Sequence, residues 1–184
     1  LDPNNQNRMY LAGGDFIWRN RNLSQIPTGS QDKTGFNWTR LDRSNIPSGS
    51  ISALDISQEP GNIVFYGTTN GQVYKIVEAH TNDYVVTNLN IESNANFPPR
   101  ANVSSISIDP TNANNVMITF SNYGVPSIFF SSDGGDSFTD VSANLEENAD
   151  GSGNGPSVRW AEIVPLQGGG YQYYVATSIG VYST

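Results

Sequence analysis

The sequence predicts an all-β fold built from repeated four-stranded units, and three observations carry that prediction. Short strand-like runs recur at a fixed interval, turn residues recur between them, and the composition disfavours long helices. Charged residues make up 14% of the 184 residues and aromatics 11%, with 18 Gly and 10 Pro. The polar bulk is Asn, Ser and Thr, which suits short strands joined by tight turns.

One series of strand-like runs begins at residues 9, 63, 116 and 173 (MYLAG, IVFYG, VMITF, YYVAT). A second series precedes it, at residues 51–56, 103–108 and 158–163. A third follows at 16–18, 72–76, 127–130 and 180–182, and a fourth at 36–41, 84–89 and 137–141. Four short strands recurring every ~54 residues is the signature of a β-propeller blade. Turn signals fall between first and second strands: Asp2-Pro3-Asn4-Asn5, Asp109-Pro110-Thr111-Asn112 and the degraded Glu59-Pro60-Gly61-Asn62.

The expected organisation is therefore one propeller segment over 1–184, an arc of about three and a half blades. Residues 1–50 supply a partial blade, 51–102 and 103–157 two whole ones, and 158–184 another partial one. The two partial units do not complement each other, so the segment is expected to be contiguous with further blades of a longer chain. An open arc would otherwise expose the apolar faces of its terminal blades.

The most patterned turn is residues 131–138, Ser-Ser-Asp-Gly-Gly-Asp-Ser-Phe. Ser131 and Asp133 can bond local backbone, Gly134 and Gly135 permit positive φ, and Phe138 returns a ring to the core. This spacing resembles the Asp-box (BNR repeat) of sialidase-like and sortilin-like β-propellers. Residues 108–123 (IDPTNANNVMITFSNY), 129–145 (FFSSDGGDSFTDVSANL) and 173–184 (YYVATSIGVYST) resemble the secreted Asp-box repeat proteins common in Bacteroidetes. Those proteins share their blade with sortilin ectodomains and xyloglucan-active glycosidases. The resemblance implies that Ser131, Asp133, Gly135, Ser137 and Phe138 form a structural hairpin away from the ligand. It leaves activity open, because such folds host hydrolases, receptors and assembly factors alike.

Net charge is −8 with pI ≈ 4.4, which disfavours nucleic acid and anionic membranes as partners. No apolar run is long enough to span a bilayer as a helix, so membrane insertion is not expected. Cysteine is absent, which excludes disulfides and thiolate chemistry. The low-charge, Asn-rich composition points to a secreted or cell-surface setting.

In a propeller, first strands line the axis, and the turns between second and third strands gather at one mouth with the links between blades. Those turns are 13–15, 68–70, 121–124 and 177–178, and they nominate Asp15, Asn70 and Tyr123. The links add Arg100, Arg159 and Trp160. An Arg and aromatic rim suits a sugar or a protein surface. His80 is the single histidine and lies in the turn that replaces an Asp-box in the second blade, so a Ser-His-Asp arrangement has no support. Glycoside hydrolysis needs two carboxyl groups across a sugar; Asp15 is the weak catalytic candidate, followed by Asp55 and Glu162. Asp150, Ser152 and Asn154 match the opening of a calcium loop, but Ala161 stands where the bidentate Glu is required. The expectation is no cofactor, with calcium the one alternative.

The sequence thus favours a non-catalytic module that binds carbohydrate or protein. The alternatives are part of a xyloglucanase-like polysaccharide hydrolase and a structural protein of surface assembly.

Overall fold

The computed structural model describes residues 1–29, 35–91, 96–148 and 150–184. Its strands form four separate antiparallel sheets, each a simple meander in chain order. Sheet I holds β1 (Met9–Gly13), β2 (Phe16–Asn20) and β3 (Trp38–Leu41). Sheet II holds β4 (Ile51–Ile56), β5 (Val64–Thr68), β6 (Val73–Val77) and β7 (Val85–Asn88). Sheet III holds β8 (Val103–Ile108), β9 (Val116–Phe120), β10 (Ile128–Ser131) and β11 (Thr139–Asp140). Sheet IV holds β12 (Val158–Pro165), β13 (Tyr171–Thr177) and β14 (Gly180–Ser183). This is an arc of β-propeller. Among the described residues the helical structure is confined to single 3₁₀ turns, such as Leu23–Gln25 and Asp42–Ser44, and no helix is long and apolar enough to cross a membrane.

Strand alternation packs the sheets face to face. Side chains of β5 alternate between two seams: Val64 and Tyr66 join Tyr10, Ile17 and Leu41 of sheet I, while Phe65 joins Val103, Ile106 and Phe129 of sheet III. β9 and β10 repeat this. Ile118 and Phe129 face sheet II, whereas Met117 and Ile128 meet Val158, Ala161 and Val175 of sheet IV. Both faces of the middle sheets are therefore buried, which is why β5 and β9 read as continuous apolar runs. Contact is close enough that a Cβ on Gly67 would lie 2.4 Å from Val103 Cγ1.

Strand positions follow the sequence to within two residues at each end, and two of the differences bear on the 131–138 turn. Ser131 ends β10, paired with Val116, instead of opening the turn. β11 shrinks to two residues because Phe138 turns into the core before pairing begins. Between them Ser131 Oγ donates to Asp133 Oδ1 (2.8 Å) and accepts from the Gly135 amide (2.8 Å). Ser137 donates to Asp133 through its amide (2.9 Å) and hydroxyl (2.5 Å), and these bonds hold the Asp133 carboxyl down at about 2. Gly135 is required: its φ is +95° and a Cβ would meet Leu89 Cδ1 at 2.7 Å.

Candidate functional site

The turns between second and third strands do lie against the links between sheets. The Asp15 and Gly14 carbonyls accept from the Ile46 (3.1 Å) and Ile51 (2.9 Å) amides. Asn70 Nδ2 donates to Ser48 Oγ (3.0 Å). The Asn102 amide donates to Asn122 Oδ1 (2.7 Å), beside Tyr123, and the Ser178 amide to the Ser157 carbonyl (2.9 Å). Asp15, Arg100 and Tyr123 are exposed, and Arg100 takes a left-handed φ of 63°. Asp15 receives a long 3.4 Å contact from Asn45 Nδ2. Asn70 is half-buried and holds its link in place.

Arg159 and Trp160 lie within the inner strand β12 and not in the link before it. Their place is explained by a repeat finer than the blade. Each of the three inner strands carries a register shift at its second residue: Ser52 in β4, Ser104 in β8 and Arg159 in β12. In the first two, the serine hydroxyl donates to the first carbonyl of the following inner strand, Ser52 to Val103 O (2.7 Å) and Ser104 to Val158 O (3.0 Å). The fifth residue of both strands, and in β8 also the third, acts as an acceptor across the same seam. Ser105 Oγ takes the Ala161 amide, Ser107 Oγ takes the Ile163 amide (both 3.0 Å), and Asp55 Oδ2 takes the Ile108 amide (2.8 Å).

Sheet IV breaks this pattern. Where sheet III has Ser104, Ser105 and Ser107, β12 has Arg159, Trp160 and Glu162, all exposed. The Trp160 indole, 52% exposed, donates to Glu162 Oε2 (3.1 Å). A flat apolar ring, a guanidinium and a carboxylate thus share one inner-strand edge, a set that can stack on and hydrogen-bond a polar ligand. Sequence reasoning nominated Arg159 and Trp160 but missed the bond from Trp160 to Glu162; the aligned inner strands carried that signal.

The Asp55 carboxyl is pushed up to about 6 by burial, against the pull of the Ile108 and Ile56 amides, with the Glu162 charge adding to the rise. Its two amide bonds (both 2.8 Å) make it a seam acceptor. Asp150 Oδ1 accepts from the Ser152 amide (3.0 Å), and the Asn154 amide donates to Glu147 Oε2 (2.6 Å). Among the described residues no three His, Asp or Glu side chains are grouped to hold a metal ion.

No protein-family model matches the chain, and no curated protein matches it significantly. Solved structures do. Ycf48 from Cyanidioschyzon merolae aligns over 92% of this chain and 44% of its own, with TM-score 0.57 and 16% identity. The GH74 xyloglucanase from Xanthomonas campestris aligns over 96% of this chain and 26% of its own, with TM-score 0.60 and 13% identity. A GH74 enzyme from Niastella koreensis covers all of this chain with 27% of its own, at TM-score 0.55 and 19% identity. The chain therefore spans less than half the length of these proteins. At such identities the likeness is one of fold, a β-propeller; sheets I to IV are called blades I to IV below, of which I and IV have three strands.

Proposed function

We propose that the chain is a non-catalytic module of a secreted or cell-surface β-propeller and binds carbohydrate or a protein surface at the inner edge of blade IV. The observation that carries this reading is the replacement of short seam residues by Arg159, Trp160 and Glu162 on β12. Long side chains there would hold a neighbouring surface farther off than the Ser105 and Ser107 hydroxyls hold blade IV, leaving room for a ligand. Trp160 supplies the stacking surface there, and Arg159 and Glu162 the polar contacts. Asp15, Asn70, Arg100 and Tyr123 extend the rim at the mouth. The bonding of the 131–138 turn supports assigning it as an Asp-box. No cofactor is needed, and millimolar calcium is expected to leave the melting temperature unchanged; a rise of several degrees would assign the Asp150–Asn154 loop as a calcium site.

The test is affinity electrophoresis and calorimetry against soluble β-glucans, including xyloglucan. Trp160→Ala is expected to weaken binding by roughly tenfold or more, while Val85→Ala on an outer strand leaves it unchanged. Equal affinity for both variants would remove the site.

The hydrolase reading draws on Asp55, whose carboxyl holds its proton to about pH 6 with Glu162 nearby. It predicts reducing-end release that falls sharply in Asp55→Asn or Asp15→Asn. Binding without release favours the module. The surface-assembly reading predicts growth of particle size with concentration, and a stable monomer by light scattering would oppose it.

A further inference from the structure

The sequence holds two Asn-Gly steps, Asn70-Gly71 and Asn154-Gly155, and two Asp-Gly steps, Asp133-Gly134 and Asp150-Gly151. Such steps are chemical weak points. Glycine has no side chain to keep its amide nitrogen away from the side-chain carbonyl carbon of the residue before it, and attack there closes a five-membered ring. Whether a step reacts in the folded chain depends on how firmly those two groups are held.

Three of the four steps are held at both groups. Asn70 Nδ2 donates to Ser48 Oγ (3.0 Å), and the Gly71 amide to Thr68 O (3.2 Å). Asp133 accepts from Ser131 and Ser137, and the Gly134 amide donates to Asn114 O (2.9 Å). Asp150 Oδ1 accepts from the Ser152 amide (3.0 Å), and the Gly151 amide donates to Asn148 O (2.9 Å).

Asn154-Gly155 differs. It lies in the link between blades III and IV, with Asn154 exposed. Among the described residues neither the Asn154 side chain nor the Gly155 amide has a hydrogen-bond partner. The main chain around them is nonetheless fixed, because the Asn154 amide donates to Glu147 Oε2 (2.6 Å) and Ser157 Oγ to Ser121 O (2.6 Å). The same packing demands the glycine. A Cβ on Gly155 would collide with the carboxyl of the buried Glu146 and lie 3.2 Å from the Glu146 Cα. The fold therefore imposes the residue that makes this step reactive and supplies none of the bonds that quiet the other three.

We infer that Asn154 is a deamidation site, at which the folded chain modifies itself with water as co-reactant. The Gly155 nitrogen attacks Asn154 Cγ, forming a C–N bond and a succinimide ring. The Gly155 proton goes to the departing amide nitrogen, which leaves as ammonia. Water then opens the ring at either carbonyl, giving aspartate or isoaspartate at position 154. The balance is one amide and one water consumed for one acid and one ammonia released. The product adds a negative charge beside Glu147, and its isoaspartyl form lengthens by one atom the main chain leading to Ser157.

The chain should be incubated at mildly alkaline pH, folded and in parallel in concentrated urea, then digested and mapped by mass spectrometry. An isoaspartyl methyltransferase tells the two products apart. In the folded chain Asn154 is expected to convert about tenfold or more faster than Asn70, whose step must first break its two bonds. In urea, where both steps are free, the two rates should converge. Equal rates in the folded chain, or faster conversion at Asn70, would overturn the proposal. So would conversion of both in urea with neither converting in the folded chain, which would show that the Asn154 step is held after all. Acid gained at 154 without isoaspartate would overturn it as well, because direct hydrolysis of the side chain makes no use of Gly155.

Discussion

Asp55 sits half-buried between two blades, its oxygens accepting the Ile56 and Ile108 amides (both 2.8 Å). With its carboxyl raised to about 6 from an ordinary 3.8, the folded state favours the protonated form. Its contribution to stability is thus fully present below about pH 4 and lost as pH rises through about 6. Asp55→Asn removes the titration. The stability difference, variant minus parent, is expected to grow by on the order of 2 kcal/mol between pH 4 and pH 7 and then stay level, read by chemical denaturation across that range. A difference independent of pH would show that the carboxyl does not change its protonation on folding. Arg19 is the other residue whose environment sets its role. Its guanidinium is buried and caps the Ala79 and Thr81 carbonyls, so Arg19→Met is expected to cost about 2–4 kcal/mol in the same assay. The exposed Arg40–Asp42 pair (2.7 Å) should be worth under about 1 kcal/mol. The sequence nominates Asp55 only as a catalytic carboxylate and does not nominate Arg19, because the seam role of each is defined by a partner more than fifty positions away.

At the scale of elements, strands were legible wherever a run was short, apolar and repeated. β5 and β9 fall where the periodicity places them, since burial on both faces leaves an unbroken apolar signature. The 131–138 turn was legible for a different reason: its bonds are local, so its residue types and spacing carry them. Ser131 is the pivot, buried and bonded to Asp133 and Gly135. Ser131→Ala is expected to cost about 1–2 kcal/mol, and exchange of the Gly135 amide should accelerate more than that of β8 amides. Uniform acceleration would mean that the turn is not a separate unit. The seam contacts were hidden because they are made between units. The contrast between Arg159, Trp160 and Glu162 and the serines of β8 emerges only once β12 is laid beside β4 and β8.

The described residues form an arc of four sheets in which each packs on its neighbours, so the stability of the arc is a sum of units and nearest-neighbour seams. Blades II and III have a partner on both faces, while blade IV leaves Trp160, Ile179 and Val181 more than half exposed. Native-state hydrogen exchange is expected to be slowest in β5, β8 and β9 and fastest in β1 and β13, by about a hundredfold or more. A flat profile would indicate a single cooperative unit. Because the hydroxyls of Ser52 and Ser104, and the cations of Arg19 and Lys75, reach out of one blade to bond the next, the portable piece of this architecture is not the blade. A duplication or graft cut at the links would part each donor from its acceptor. One cut through the middle of a blade would carry a whole seam intact, and recombination between such arrays is expected to leave its surviving crossovers there.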